Sequence, residues 1–168
     1  MYQQLQVRHL QIKGEIWKAC FSAVGLMRLW FPEQFPKEKL SQAESNPEIA
    51  RQSQEQITLQ WLQAYLGGES MGALPLPCLD LRDGTVFQQN VWRAIRGIPF
   101  GETQSYSQIA NSIENTRAVR AVGGACGANP IPLIIPCHRV LAANHELGGF
   151  SGGISWKKRL LKLEGIAF

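Results

Sequence analysis

Ser105-Tyr106-Ser107-Gln108-Ile109-Ala110-Asn111-Ser112-Ile113-Glu114, then Asn115-Thr116, then Arg117-Ala118-Val119-Arg120-Ala121-Val122-Gly123-Gly124-Ala125-Cys126, is the stretch whose reading decides the fold. Ser105 with Gln108 three residues on is a capping-box pattern, and Ile109, Ala110 and Ile113 share one helical face, so a short helix ends near Glu114. Asn115-Thr116 supplies a brief turn and an N-cap. Residues 117 to 126 then form a second helix with Val119, Val122 and Cys126 facing inward. Helix, short turn and helix make a helix-turn-helix. The positions expected to be exposed on the second helix are Arg120, Ala121, Gly123, Gly124 and Ala125, which offer few donors or acceptors to base edges, so this helix reads little sequence. Its small residues allow very close backbone approach to a partner, which suits a groove being opened. They serve close packing inside a protein equally well.

Immediately upstream, Thr85-Val86-Phe87-Gln88 repeats the capping pattern; Phe87, Val91 and Ile95 share a face and Gly97 stops the helix. Downstream, Ile131-Pro132-Leu133-Ile134-Ile135-Pro136-Cys137-His138-Arg139-Val140 carries an apolar run into a cysteine beside an imidazole. The run reads as a buried extended segment, denied helical continuation by its prolines, and Cys137 lies where the chain leaves the core. Burial disfavours a thiolate, so a reactive cysteine needs a base or a positive field, and His138 is a candidate. Neighbouring side chains on a strand point to opposite faces. The imidazole therefore reaches the sulfur only if the backbone turns there or a water bridges them. Plain packing is the competing reading, since free cysteine is among the most buried residue types.

Farther upstream the first thirty residues alternate as strands do. Lys13-Gly14 makes a turn between residues 10–12 and 16–21, with a third strand at 26–31, which gives a small antiparallel meander with Cys20 in its core. A Pro-punctuated loop over 32–47 leads to a helix over 48–66, whose Trp61, Leu62, Tyr65 and Leu66 form an apolar stripe that covers the sheet, closed by Gly67-Gly68. The Gly- and Pro-rich residues 72–77 read as a linker. The expected division is an α/β N-terminal domain over 1–82 and a mainly helical C-terminal domain over 83–168.

The 168 residues, 45% of them hydrophobic, are ample for such cores. The polar start Met1-Tyr2-Gln3-Gln4-Leu5-Gln6 and the lack of a membrane-length apolar run lead us to expect no signal peptide, no membrane association and a cytoplasmic location. Cysteines 20, 78, 126 and 137 form no C-x-x-C pair and are expected as free thiols. Cys126, Cys137, His138 and His145 lack finger or ribbon spacing, so no metal is expected. Residues 1–82 hold eight Lys/Arg and eight Asp/Glu, whereas 83–168 hold nine against five, so the net +4 lies in the second half. That favours a polyanionic partner there, although an excess this small also fits an ordinary solvated surface.

Asn129-Pro130, Pro136-Cys137-His138-Arg139-Val140, Arg120-Ala121-Val122-Gly123-Gly124 and Gly149-Phe150-Ser151-Gly152-Gly153, with Phe87-Gln88-Gln89, Ile98-Pro99-Phe100-Gly101-Glu102-Thr103 and Leu163-Glu164-Gly165, closely resemble the O6-alkylguanine-DNA alkyltransferases, also called methylated-DNA–protein-cysteine methyltransferases. The likeness is strong over about residues 80 to 168 and general in layout before that. It implies a ribonuclease H-like N-terminal domain and a winged-helix-like C-terminal one. It also implies irreversible, single-use transfer of the alkyl group from O6-methylguanine, and from O4-methylthymine, in double-stranded DNA to Cys137. His138 would activate Cys137 through a water, Glu164 would orient His138, and Asn129 would brace the turn. Arg120 would fill the gap left by an extruded nucleotide and Tyr106 would assist extrusion and contact the base. Gln88, Ser107, Asn115, Gly123 and Gly124 would face DNA, while Tyr106, Cys126, Val140, Phe150 and Ser151 would line the base pocket within a wall formed by 147–152. The carbonyls of Cys137 and Val140 would accept from the guanine amino group. No cofactor is implied, and the protein would act as a monomer.

Two positions depart from the family pattern: Gly127 stands where many members carry arginine, and Phe150 where tyrosine is common. The first implies weaker phosphate contact and a salt dependence flatter by about one unit of slope. The second removes a hydroxyl from the pocket wall and leaves the range of alkyl groups open. Members without reactivity replace the cysteine, which this chain keeps. Two rivals are a non-enzymatic winged-helix regulator with Cys137 in its core, disfavoured by the donor-poor 117–126 helix, and a thiol hydrolase using Cys137 and His138, for which no separate oxyanion-hole signature is evident.

Overall fold

The computed structural model describes residues 5–34, 49–69, 74–143 and 146–168. Residues 1–4, most of the 32–47 loop, residue 48, Gly72 at the start of the linker stretch and His145 lie outside them. Contacts divide the chain into two compact units, Met1–Leu81 and Arg82–Phe168.

In the first unit, β1 (Gln6–Ile12), β2 (Glu15–Phe21) and β3 (Leu26–Trp30) form an antiparallel sheet in the order β1-β2-β3. Lys13 (φ 49°) and Gly14 (φ 82°) both adopt left-handed backbone, as a two-residue hairpin turn requires if its twist is to match the strands. Alternation buries Leu10, Ile12, Trp17 and Ala19 on one face. A register shift between Cys20 and Phe21 breaks that alternation, so Ala19, Cys20 and Phe21 are buried in succession. The helix α1 (Ile49–Gly67) packs on β1 and β3 with Trp61, Leu62, Tyr65 and Leu66 buried. It ends in a Schellman motif: Gly68 turns left-handed at φ 72°, and the Glu69 amide donates to the Ala64 carbonyl at 3.0 Å.

Residues 78–80 bind back to this sheet, which the linker reading of the residues before them did not foresee. The Leu26 amide donates to the Cys78 carbonyl and the Asp80 amide to the Leu26 carbonyl, both at 2.8 Å, and the Ser22 hydroxyl donates to Asp80 Oδ2 at 2.6 Å. A single bridge leaves no periodicity for sequence to display.

The second unit contains α2 (Val86–Arg96), β4 (Gln104–Ser105), α3 (Tyr106–Ser112), α4 (Val119–Gly127), a 3₁₀ turn (Cys137–Arg139), β5 (Val140–Leu141) and α5 (Ile154–Leu163). Both capping boxes form, Thr85 with Gln88 and Ser105 with Gln108, and Gly97 caps α2. The helices α3 and α4 pack on each other and on α2, while β4 pairs in parallel with β5.

Three details of the second helix are corrected. It starts at Val119, capped by Ala118 without a side-chain bond, because Asn115 and Ala118 close a turn of their own (2.9 Å) and take Thr116 out of the N-cap position. Val119 in the first turn is 37% exposed rather than inward-facing. Ala125 is 3% exposed rather than on the surface, since its carbonyl accepts the Trp92 indole N–H of α2 at 2.8 Å and a larger side chain would hold that ring away.

The 131–140 run is buried as expected but is not extended. The Ile135 amide bonds the Ile131 carbonyl (3.0 Å), Leu133 turns left-handed (φ 71°), and the chain enters the 3₁₀ turn at Cys137. Asn129 holds this loop closed. Its Oδ1 accepts from the Ile131 amide at 3.0 Å and its Nδ2 donates to the Ile135 carbonyl at 2.8 Å.

Candidate active site

Cys137, His138 and Arg139 lie on one 3₁₀ turn where a strand was expected. Cys137 is 4% exposed and its sulfur accepts a hydrogen bond from Asn129 Nδ2 at 3.0 Å. Burial pushes its thiol up to about 11, with the Asn129 bond and then the charge of Lys157 pulling the other way. His138 is fully buried, and its Nε2 lies 2.7 Å from Glu164 Oε1. Burial lowers its pKa, against the raising effect of Glu164, so the ring stays neutral at neutral pH. With Nε2–H donated to the carboxylate, Nδ1 becomes the basic nitrogen.

Glu164, the residue that ends α5, is held from several sides. Arg139 donates through Nε to Oε2 at 2.8 Å and through Nη2 to Oε1 at 3.0 Å, and the Gly101 amide donates to Oε2 at 3.1 Å. Arg139 itself is buried, gives Nη1 to the Ile98 carbonyl at 2.7 Å and lies over the Phe100 ring. A carboxylate so fully donated to is fixed in place.

Beside the thiol opens a pocket of about 510 Å³ lined by Tyr106, Gly123, Cys126, Gly127, Cys137, Gly149, Phe150 and Ser151. Tyr106, first residue of α3, is half-buried, and burial, then Cys126 and Cys137, raises its hydroxyl pKa so that it remains a donor. Phe150 meets the His138 ring edge-on at 6.4 Å. Val140, expected in the lining, is fully buried outside it; its carbonyl accepts from Lys157 Nζ at 2.7 Å.

Of the residues expected to face DNA, Arg120, Gly124, Ser107 and Asn115 are exposed and Gly123 lies at the pocket. Gln88 is occupied in part, its Oε1 accepting the Thr85 amide at 2.9 Å. Ser107 and Ser105 share a hydrogen bond of 2.8 Å.

Sequence reasoning assigned no role to Arg139 or Lys157. An extended strand would have turned Arg139 away from its neighbour, and Lys157-Lys158-Arg159 looks like a solvated basic face. Yet Lys157 is fully buried, bonds the Leu147 carbonyl as well as that of Val140, and is pushed down to about 8 by its burial.

A family model described as 6-O-methylguanine DNA methyltransferase, DNA binding domain, matches residues 86–166. A methylated-DNA–protein-cysteine methyltransferase of Methanosarcina acetivorans is 45% identical over 123 residues, 71% of this chain and 72% of the relative. The chain belongs to the methylated-DNA–protein-cysteine methyltransferase family. The methyltransferase of Mycobacterium tuberculosis is 57% identical over 103 residues, 61% of each chain. The crystal structure of Mycobacterium tuberculosis OGT in complex with DNA matches at a TM-score of 0.74 and 39% identity, covering 95% of this chain and 91% of that one. The small antiparallel sheet with its helix and the helical second unit are thus the architecture of a methyltransferase of this family. Among the described residues no helix is long and apolar enough to cross a membrane.

Proposed function

We propose that this chain repairs double-stranded DNA by taking the alkyl group of O6-methylguanine, and of O4-methylthymine, onto Cys137. The observation that carries this reading is a buried thiol facing a base-sized pocket, next in sequence to a histidine whose far nitrogen is fixed by a carboxylate. His138 Nδ1 takes the thiol proton through a bridging water, Glu164 stabilises the imidazolium, and the sulfur attacks the alkyl carbon in line. Tyr106 donates to the departing base. The thioether formed has no easy hydrolytic or exchange route back, so each molecule acts once, with no cofactor. Asn129 positions the sulfur, and Arg139 positions Glu164.

The alkyl carbon is out of reach while the base is stacked, so the nucleotide must leave the helix at a cost of a few kcal/mol. Arg120, exposed on α4 among small residues, fits the gap so created. Arg120→Ala is therefore expected to slow repair of a duplex about tenfold or more while leaving reaction with free alkylated base nearly unchanged, measured as single-turnover rates on both. Equal losses would remove Arg120 from extrusion. Gly127 has open space at its Cβ position and supplies no cation to phosphate, and Phe150 keeps the wall apolar. We read the first unit as ribonuclease H-like and the second as winged-helix-like, in a monomer of the cytoplasm, where the acceptor thiol stays reduced.

The pH dependence follows from the site. A neutral thiol beside a neutral imidazole, with Lys157 charged, is the dominant state between the His138 pKa and about 8, so general-base transfer is flat there. On the acid side it falls below the ordinary imidazole value of about 6.5, because burial lowers the pKa of His138. On the alkaline side Lys157 loses at about 8 the charge that favours the developing thiolate, and the rate declines again. Single-turnover rates from acid to alkaline pH test this; a tenfold climb per unit throughout would mean that hydroxide, not His138, removes the proton.

Mass spectrometry of the protein mixed with duplex DNA containing one O6-methylguanine, at several ratios, tests the function itself. One methyl on Cys137 per chain, with matching loss from the DNA, is the expected result. Unmodified Cys137 with unrepaired DNA would leave a DNA-binding module.

A further inference from the structure

The pocket holds a second thiol that the transfer reaction does not use. Cys126, in the last turn of α4, lines the same cavity as Cys137, and both are free cysteines. Asn129 is bonded to each: its amide donates to the Cys126 carbonyl at 3.2 Å and its Nδ2 to the Cys137 sulfur at 3.0 Å. We propose that Cys126 is a resolving thiol for Cys137, and that hydrogen peroxide reaching the pocket joins the two in a reversible disulfide.

The chemistry balances in two steps. The Cys137 sulfur attacks one peroxide oxygen, the O–O bond breaks, and Cys137 sulfenic acid and water result; the peroxide is reduced and the sulfur oxidised. The Cys126 thiol then attacks the sulfenic sulfur, an S–S bond replaces the S–O bond, and the hydroxyl leaves as a second water. A dithiol reductant reverses the product by exchange. The order of the steps is set by the surroundings. Burial pushes both thiols up, but only the Cys137 sulfur accepts a side-chain hydrogen bond, from Asn129 Nδ2 at 3.0 Å, which favours its thiolate, so Cys137 is oxidised first.

A disulfide needs Cα atoms within about 7 Å and a particular Cβ direction. Cys126 and Cys137 line one cavity, and Asn129, in the loop that joins them, is hydrogen-bonded to both residues. The consequence is protective: sulfinic acid at Cys137 is irreversible and would waste the acceptor, whereas the disulfide returns it.

The reaction proceeds without DNA, so its outcome is separate from that of alkyl transfer. The full reduced chain is treated with hydrogen peroxide and mapped without reduction. Trypsin leaves both cysteines in one peptide, residues 121–139, and a second cut after Leu133 divides it. The expected peptide has lost two hydrogens, stays joined after the second cut, and separates with dithiothreitol. Cys126→Ala is expected to let Cys137 pass on to sulfinic acid; should that variant fail to fold, the map of the unaltered chain decides alone. Cys137 sulfinic acid accumulating beside reduced Cys126, or Cys137 joined instead to Cys20, Cys78 or another molecule, would overturn the proposal.

Discussion

Glu164→Gln is expected to slow alkyl transfer about 10²- to 10⁴-fold, the scale of losing an oriented general base, and to lower the unfolding free energy by about 3–5 kcal/mol. Both effects come from one carboxylate with two customers. Toward His138 it accepts from Nε2 at 2.7 Å, which in the proposed mechanism makes Nδ1 the basic nitrogen and offsets the imidazolium. Toward Arg139 it neutralises a guanidinium that is itself buried, through bonds of 2.8 and 3.0 Å. The amide of glutamine answers neither need: it carries no charge, and it leaves Arg139 buried without its counter-ion. The two losses separate in a second variant. Arg139→Met with Glu164→Gln removes both charges at similar volume, a change that in buried ion pairs is often neutral or stabilising, so urea unfolding should recover most of the lost stability. Single-turnover transfer should stay slow, because His138 still lacks its carboxylate. Recovery of transfer together with stability would show Glu164 to be a brace for Arg139 alone.

How far the sequence could be read is clearest at these same residues. Capping boxes at Thr85 and Ser105, the Lys13-Gly14 hairpin and the apolar stripe of α1 are signals confined to a few adjacent residues, and each formed where its pattern lay. Ala125 and the 131–140 run depart from their patterns because packing decides them. Ala125 is buried by the approach of Trp92 from another helix, and the extended run is folded into a turn by the Asn129 side chain. Cys137 and His138 were visible as neighbours. Glu164, twenty-six residues on, was visible only through family likeness, since its side chain alone looks like any helix-ending acid. Arg139 and Lys157 carried no signal: long cations are ordinarily solvated, and only three-dimensional enclosure shows them to be parts of the site.

Cys137→Ser is expected to abolish transfer, by about 10⁴- to 10⁶-fold, the scale on which losing a nucleophile is felt, while binding to a duplex carrying O6-methylguanine persists. A serine hydroxyl fits the space of the thiol and can keep the Asn129 Nδ2 bond, so the turn, the pocket and the α4 surface have no reason to change. What disappears is the soft anion. An imidazole whose pKa burial has lowered is too weak a base for an alcohol in an apolar site, though it suffices for a thiol. Gel-shift affinity and repair rate on one substrate therefore part company, and the inert variant should hold the extruded base instead of releasing a repaired strand. If Cys137→Ser still repaired DNA, the acceptor would have to be another thiol, and Cys126 in the same pocket would be the first to examine. If it bound normal and alkylated duplexes alike, neither binding nor extrusion would recognise damage, and the chemical step alone would do so.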